Sequence, residues 1–362
     1  MRVTRFFLLA GISALLFSAC DSNGGPNNGN RGTVGPGTTA TYVAFADSTH
    51  LNVESINPNG TLTAILGSPY TPGGTQPYIL GDTPDGKYIY VVNGGSNSVT
   101  QYSIATDGTL KTIQADVQTG ATPVSIAIDS QERFAAVADK GDGTVTLYRI
   151  DSSTGALTRF ASTFSTGNNP VAVTIHNTFV YAVAPTSIAV AQIDTVNLSI
   201  SVVQGSPFSA GAAGTLAGGS AGVQLYALDT TNNRVQNYTL DISTGEPTIG
   251  TSIAAGTQPT AALQVLSGKF LYVANQGSNN ISAYSIDPNT GALTAISGSP
   301  FTAGTKPTSL AFDPVNNLLL VGNSGSSDIS IYAVNTTTGV LQVSGSPIHP
   351  GTAVTAMGVA KP

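Results

Sequence analysis

The sequence predicts an all-β protein, a seven-bladed β-propeller of four-stranded antiparallel blades. A strand-rich unit, read most clearly at residues 270–301, recurs about every 46 residues, a period typical of propeller blades. Short β-branched and aromatic runs alternate with Gly, Asn, Asp and Pro, as an antiparallel meander requires. A two-residue turn element marks seven copies: Asn59-Gly60, Asp107-Gly108, Thr154-Gly155, Val196-Asn197, Thr244-Gly245, Thr290-Gly291 and Thr338-Gly339.

The two ends of the repeat region complete one blade between them. The first copy begins at Tyr42, already in the second strand of its blade, so its first strand is missing. The C-terminal segment Thr352–Ala360 has no copy after it, and residues 345–359 align with residues 298–312, which lead into a first strand. We therefore expect the C-terminal strand to complete blade 1 and close the ring, which removes the open sheet edges that favour aggregation.

The third strands share a tyrosine, which we expect to pack between adjacent blades because a ring there buries a large apolar area. The five positions are Tyr102, Tyr148, Tyr238, Tyr284 and Tyr332. Blades 1 and 4 depart from this pattern, with Glu54 and Ala191.

Residues 1–19 have the pattern of a signal peptide, with Arg2 and Arg5 before an apolar run that is too short to span a membrane. Cys20 follows directly and resembles the lipidated first residue of a bacterial lipoprotein. The alternative is ordinary secretion with a chance cysteine. Residues 20–39 are rich in Gly and Asn and are expected to be a tether, and residues 40–362 form the propeller. The predicted location is the bacterial cell envelope, extracytoplasmic, with membrane contact through the anchor only.

The composition excludes several classes of function. Only 9% of residues are charged, and without Arg2 and Arg5 the chain has 11 basic against 19 acidic residues, a net charge of −8. A nucleic-acid binder needs clustered Lys and Arg, so none is expected here. Cys20 is the single cysteine, so the propeller has no disulfide. We expect a monomer with no cofactor.

The units VVNGGSNSVTQYSI and YVANQGSNNISAYSIDPNTGALT resemble the lactonase family of seven-bladed propellers, which includes 6-phosphogluconolactonase and muconate cycloisomerase. They are also similar to the YVTN repeats of extracytoplasmic propellers. The resemblance implies a Gly-Pro-Arg-His element at one first strand and an Asn-Glu pair after one second strand. The matching positions here contain no Arg-His pair and no glutamate, as in Ala121-Thr122-Pro123-Val124 and Asn275-Gln276. The resemblance therefore predicts the fold more strongly than the activity.

Six blades have an acid or amide where the second strand ends, on the face formed by the second-to-third strand loops and the blade-to-blade crossings (the loop face). These residues are Asp47, Asn93, Asp139, Asp229, Asn275 and Asn323, and blade 4 has Ala184 instead. They form a ring that could hold a cation or a hydroxylated ligand. The alternative is that each side chain caps its own turn, as Asn and Asp commonly do.

Two histidines, His50 and His349, are predicted to meet near Asp47 at the seam of blade 1. Two imidazoles and a carboxylate are a candidate metal-binding set or acid–base pair, and the alternative is two unrelated loop residues.

Two functions follow. The first is a lipid-anchored binding module that takes a small molecule, a glycan or a protein on its loop face, since the family's charged residues are not matched. The second is a lactonase that hydrolyses a sugar lactone or a related compound with different residues.

Overall fold

The computed structural model describes residues 40–362 except positions 48, 168, 212–215, 219–223 and 351. The predicted signal peptide, Cys20 and tether lie outside the described residues. Within the described part, the chain forms seven antiparallel sheets whose main path has four strands each, arranged as a seven-bladed propeller. Among the described residues, no helix has the length and apolar composition of a membrane span.

Each blade runs from an innermost to an outermost strand. In blade 1 the order is β32 (Ala356–Ala360), β1 (Thr41–Ala46), β2 (Leu51–Ile56) and β3 (Leu62–Ala64). Blade 2 contains β4 (Pro77–Asp82), β5 (Tyr88–Asn93), β6 (Ser98–Ile104), β7 (Leu110–Thr112) and the short β8 (Val117–Gln118). Blade 3 contains β9 (Pro123–Ile128), β10 (Phe134–Asp139), β11 (Thr144–Ile150), β12 (Leu157–Arg159) and β13 (Phe164–Ser165). Blade 4 contains β14 (Ala172–His176), β15 (Phe179–Ala184), β16 (Ser187–Asp194), β17 (Ser199–Val202) and β18 (Phe208–Ser209).

The remaining blades follow the same order. Blade 5 contains β19 (Leu216–Gly218), β20 (Gln224–Asp229), β21 (Arg234–Leu240) and β22 (Pro247–Ala254). Blade 6 contains β23 (Pro259–Val265), β24 (Phe270–Asn275), β25 (Asn280–Ile286), β26 (Leu293–Ala295) and β27 (Phe301–Thr302). Blade 7 contains β28 (Pro307–Asp313), β29 (Leu318–Asn323), β30 (Asp328–Val334) and β31 (Leu341–Val343).

The C-terminal strand closes the ring, as the sequence predicts. β32 pairs antiparallel with β1, in a register that runs from Tyr42 opposite Ala360 to Ala46 opposite Ala356. Thr355 adds two hydrogen bonds to the Ala46 carbonyl, one from its backbone nitrogen and one from its hydroxyl, both 3.0 Å long. The paired strand is shorter than the expected segment Thr352–Ala360, because the residues before Ala356 still belong to the crossing from blade 7.

The core is divided among the blade boundaries. All six residues are buried in each of the seven second strands β1, β5, β10, β15, β20, β24 and β29. Their apolar side chains join seven clusters, and each cluster joins two neighbouring blades. Because both faces of a second strand contact a neighbour, these strands are continuous apolar runs rather than alternating ones.

Tyrosine hydroxyls join one blade to the next. In the second strands, Tyr90 donates to the Gly155 carbonyl at 2.8 Å, and Tyr272 donates to the Gly339 carbonyl at 2.7 Å. In the third strands, Tyr148 donates to the carbonyl of Gln118, on the chain that enters blade 3. Four of the five third-strand tyrosines bond to such a crossing segment, and all five are buried. The prediction that these rings pack between blades is confirmed. Most of the hydroxyls also form a hydrogen bond to a crossing segment.

Four of the turn glycines, Gly108, Gly155, Gly245 and Gly339, lie directly on aromatic rings of the preceding blade. A Cβ added at Gly155 would overlap the ring of Tyr88, so no other residue fits without a shift. Blade 4 is different, and there the predicted turn pair Val196-Asn197 is wrong by one residue. Ile193 pairs with Ile200 as Ile150 pairs with Leu157, which places Leu198 where Gly155 stands in blade 3.

We predict that Val354→Asp unfolds the ring at its seam. Val354 is fully buried in the apolar cluster between blades 7 and 1, and an unpaired buried carboxylate costs several kcal/mol. Urea unfolding should show a loss of about 3 kcal/mol or more. The control Val343→Asp, at a residue that is 68% exposed on the outermost strand of blade 7, should stay within about 0.5 kcal/mol. Equal effects of the two changes would contradict the importance of the seam.

Candidate functional site

The structure places all six residues of the predicted polar ring at the ends of second strands, on the loop face. None of them is open to solvent: their exposed fractions are 5% for Asp47, 2% for Asp229 and 0% for Asn93, Asp139, Asn275 and Asn323. Their polar atoms are mainly used inside the protein. Ligand binding by this ring therefore stays a prediction. The burial and the internal hydrogen bonds of the six residues indicate a structural role.

Four of the six reach across to the third strand of their own blade. In each case the partner is the hydroxyl seven residues later, so the side chain joins two strands beneath the loop. The bonds are Asn93 Nδ2 to Thr100 at 2.8 Å, Thr146 to Asp139 Oδ2 at 2.5 Å, Asn275 Nδ2 to Ser282 at 2.9 Å and Asn323 Nδ2 to Ser330 at 2.9 Å. These residues are strand braces rather than simple turn caps.

The other two, Asp47 and Asp229, cap their own turns. Asp47 Oδ1 accepts from the backbone nitrogens of Thr49 and His50, both at 2.7 Å. Hydrogen bonds to the charged form favour it, so the pKa of Asp47 is lowered even though burial acts in the opposite direction. Asp229 Oδ1 accepts in the same way from Thr231 and Asn232. The alternative of turn capping therefore describes these two residues.

In each of the four braced blades, a glycine of the crossing that enters the blade packs against the brace side chain. A Cβ added at Gly120 would lie 2.8 Å from Asp139 Cγ, and one at Gly74 would lie 2.5 Å from Asn93 Cγ. Backbone bonds then join the two loops of each blade, as from Gly94 N to Gln76 O at 3.0 Å. The loop face thus has a rigid inner rim in blades 2, 3, 6 and 7.

Asp139 is the one acid among the four braces. Its Oδ1 is buried without a hydrogen-bond partner, and desolvation raises the pKa of Asp139 to about 6. The amides of the other three blades form the equivalent hydrogen bond to the third strand without a buried charge. The carboxylate is therefore less stable here than the amide would be at neutral pH.

Asp82 is a second carboxylate that burial perturbs. It ends β4 and lies against the closing strand, since a Cβ at Gly358 would lie 2.7 Å from Asp82 Oδ1. Burial raises the pKa of Asp82 to about 6. The residues at the same register in the other inner strands are uncharged: Ile128, Ile175, Gly218, Gln264, Phe312 and Val359.

The histidine set at the seam is only partly assembled. Asp47 and His50 share one tight turn, with 3.7 Å between Asp47 Oδ1 and His50 Nδ1. Thr49 stands between them, and its hydroxyl lies 2.7 Å from His50 Nδ1. His349 is exposed in the crossing from blade 7, and no described contact joins it to either residue. Among the described residues, no group of three or more His, Cys, Asp or Glu side chains is placed to hold a metal ion.

A polar pocket of about 590 Å³ opens on the loop face of blade 2, which the sequence analysis did not single out. It lies over the third and fourth strands rather than over the first strands that line the channel. Its lining is Thr71, Gly73, Gly74, Ser96, Ser98, Thr100, Tyr102, Thr112, Gln114, Ala115, Asp116 and Gln118. We call it the blade 2 pocket.

Asp116 is the one charged residue of the blade 2 pocket. Its Oδ2 accepts from the hydroxyls of Thr100 at 3.0 Å and Ser98 at 3.2 Å, and the Asn93 amide lies 3.5 Å away. The brace of blade 2 thus orients the pocket carboxylate, and a ring residue takes part in the site indirectly. The repeat pattern conceals Asp116, because the aligned position of blade 3 is Thr163.

Fold and site together define a ring-closed, seven-bladed propeller with a hydroxyl-rich pocket on its loop face. The family model "Lactonase, 7-bladed beta-propeller" matches residues 48–175 and 246–357, and the chain belongs to that family.

Solved structures are similar over nearly the whole propeller. A candidate 6-phosphogluconolactonase from Bacteroides fragilis has 18% identity and a TM-score of 0.75, covering 91% of this chain and all of its own. The periplasmic gluconolactonase PpgL of Pseudomonas aeruginosa has 18% identity and a TM-score of 0.72, covering 89% of this chain and 100% of its own. AztD of Citrobacter koseri has 14% identity and a TM-score of 0.58, covering 89% of this chain and 98% of its own. At these identities the likeness shows the fold alone.

We predict that Asp139→Asn stabilises the protein at neutral pH. A carboxyl whose folded pKa is raised binds a proton more tightly when folded, so its contribution to stability falls as the pH rises from about 4 to about 6. A rise of the pKa over that range corresponds to roughly 3 kcal/mol at most. The amide introduced by the substitution would donate to Thr146 as Asn93 donates to Thr100.

Urea unfolding of both proteins near pH 7 and near pH 4 checks this. The gain should be roughly 1–3 kcal/mol at the higher pH and should shrink at the lower one. Asp151→Asn is the control of opposite sign, since turn hydrogen bonds lower the pKa of exposed Asp151 to about 2 and its removal should destabilise at neutral pH. A pH-independent difference for Asp139→Asn would refute the assignment.

Proposed function

We propose that the protein is a lipid-anchored, extracytoplasmic propeller that binds a neutral, hydroxyl-rich ligand, such as a sugar, in the blade 2 pocket. The observation that carries the proposal is the lining of this pocket. Ser, Thr and Gln side chains surround one carboxylate, and such groups both donate and accept hydrogen bonds. Ser98 and Thr100 are buried and already donate to Asp116, so the other hydroxyls and amides are the ones offered to a ligand. A ligand with many hydroxyl groups has matching donors and acceptors.

The acidic residue of the blade 2 pocket favours neutral ligands over anionic ones. Asp116 is its one acidic residue, and no lysine or arginine is among its described lining residues. A phosphorylated sugar would meet a like charge without a compensating cation, whereas a hydroxyl of a neutral sugar would donate a hydrogen bond to the carboxylate. Tyr102 also lines the pocket, but its ring is buried in the core between blades 1 and 2 and offers a ligand little surface.

Lactone hydrolysis is the second candidate, and membership of the lactonase family supports it. A sugar lactone is also a neutral, hydroxyl-rich molecule that fits the same lining. Opening the lactone ring requires water to attack its carbonyl carbon, and Asp116 is the carboxylate in this pocket that could accept the proton of that water. We place binding first because acid and base groups do not converge in the pocket.

Asp116→Asn tests the binding proposal. Calorimetric titration with a panel of neutral mono- and oligosaccharides should show saturable binding by the wild-type protein. A hydrogen bond to a charged group contributes about 1.5–3 kcal/mol, so the variant should bind about 10- to 100-fold more weakly. Glu246→Gln is the matched control, since it makes the same chemical change at an exposed turn and should leave affinity unchanged.

The same proteins separate the two functions. Turnover of sugar lactones by the wild-type protein, reduced about 10²-fold or more in Asp116→Asn but not in Glu246→Gln, would establish the enzyme. Binding of sugars without lactone turnover supports the binding module. Failure of both assays across the panel would reject this pocket as the functional site.

The proposed anchor has its own experiment. Cys20→Ala removes the thiol that would receive the lipid, and two or more acyl chains hold a protein on a membrane far better than one. Fractionation of cells that express the full chain should find the wild-type protein with the membranes and the variant in the soluble fraction. A variant that stays with the membranes would disprove lipidation as the anchor.

A further inference from the structure

The boundary between blades 3 and 4 lacks a contact that other boundaries share. At four boundaries, a turn glycine with positive φ packs on an aromatic ring of the preceding blade: Gly108 on Tyr42, Gly155 on Tyr88, Gly245 on Phe179 and Gly339 on Phe270. In blade 4 the position belongs to Leu198, which adopts the same left-handed backbone, with φ 52°. A leucine there is strained, and such strain is retained where the surrounding structure holds it in place.

A pocket of about 410 Å³ lies at this boundary, on the face opposite the loop face. Leu198 and Val196 form its apolar side, and Val196 is 85% exposed. Phe134 also lines the pocket, but it is 3% exposed and the Arg133 guanidinium lies 5.3 Å from the centre of its ring. The side chain of Leu198 occupies the place where the other turns bring a glycine against a ring. We call this cavity the blade 3–4 pocket.

Four charged groups line the blade 3–4 pocket, and three of them are engaged by the fold. Arg133 forms an ion pair with Asp129 at 2.8 Å and donates to the Asn177 carbonyl. Glu132 Oε1 accepts from the backbone nitrogen of Asp85 at 2.5 Å. Asp151 Oδ1 accepts four hydrogen bonds from its own turn, between 2.6 and 3.0 Å long.

Arg149 is the fourth charged group, and it is exposed. No described residue accepts a hydrogen bond from its guanidinium or forms an ion pair with it. A guanidinium presents five donors in a planar fork that fits a carboxylate with two parallel hydrogen bonds. The pocket thus contains a guanidinium without a hydrogen-bond partner, beside an apolar surface.

We propose that the blade 3–4 pocket binds a small monocarboxylate with an apolar body. The carboxylate pairs with the Arg149 guanidinium, and the apolar body rests on Leu198 and Val196. Ser152 and Thr195 provide hydroxyls at the rim. This site is independent of the blade 2 pocket and lies on the other face of the propeller.

Benzoate is the probe for this site, and benzamide is its uncharged counterpart of nearly equal shape. Titrations of the full-length protein followed by calorimetry should show saturable binding of benzoate and at least tenfold weaker binding of benzamide. Arg149→Ala should weaken benzoate binding at least tenfold. Arg159→Ala, at another exposed arginine of blade 3 outside the pocket, should leave it unchanged.

Leu198→Gly tests the origin of the pocket. Glycine restores the residue that the other turns use, which should raise Tm by relief of backbone strain and should abolish benzoate binding as the turn closes on Phe134. Ser327→Gly is the control, since it relaxes a similar left-handed residue, φ 54°, in a loop of blade 7 and should retain binding.

The proposal is overturned if benzoate does not saturate the wild-type protein, if benzamide binds equally well, or if neither Arg149→Ala nor Leu198→Gly weakens benzoate binding. Because Arg149 is exposed, its variant should fold, so the test holds even if Leu198→Gly does not fold.

Discussion

The pairing of β32 with β1 is the contact on which the rest of this propeller depends. Two of the seven apolar clusters contain residues of β32: Met357 belongs to the cluster between blades 7 and 1, and Ala360 belongs to the cluster between blades 1 and 2. Without this strand, both boundaries would lose part of their core and β1 would present an open edge. The entropic cost of joining the ends of so long a chain grows only with the logarithm of its length, so one well-registered strand suffices.

Closure of the ring restricts the residues that can occupy the contacts between blades. Each blade must match two neighbours, and the repeated contacts that achieve this use few charges. A tyrosine hydroxyl bonds to a turn carbonyl, a glycine lies on a ring, and an amide joins two strands below a loop. These contacts use glycine, tyrosine and amide side chains rather than ion pairs, and only 9% of the residues are charged. They also explain why the six polar residues at the strand ends are buried: they hold the loop face in place.

The repeat predicted the blades, the closing strand and the packing of the third-strand tyrosines, because each depends on residue types that recur. It could not predict Asp116, which has no counterpart in the aligned position of blade 3. Nor did it distinguish a turn cap from a strand brace, since Asp139 and Asp229 occupy the same place in the repeat. Their bonds differ because blade 3 has the hydroxyl of Thr146 where blade 5 has the amide of Gln236. The one-residue error at Val196-Asn197 arose because Leu198 takes a conformation usually left to glycine.

Three residues that depart from the repeat lower the stability of the fold. A substitution without any effect on the protein would not have such a penalty. Asp139 replaces an amide that would serve the same brace uncharged, Asp82 places a carboxylate where the other inner strands are uncharged, and Leu198 adopts a left-handed backbone. Each could be relieved by the residue that another blade already uses. Surface changes of no consequence do not carry such penalties, whereas functional sites commonly break local rules that the rest of the fold obeys. Leu198 differs from the two acids in that its departure coincides with a cavity and an unpaired guanidinium, and for that reason the boundary of blades 3 and 4 is the more informative irregularity.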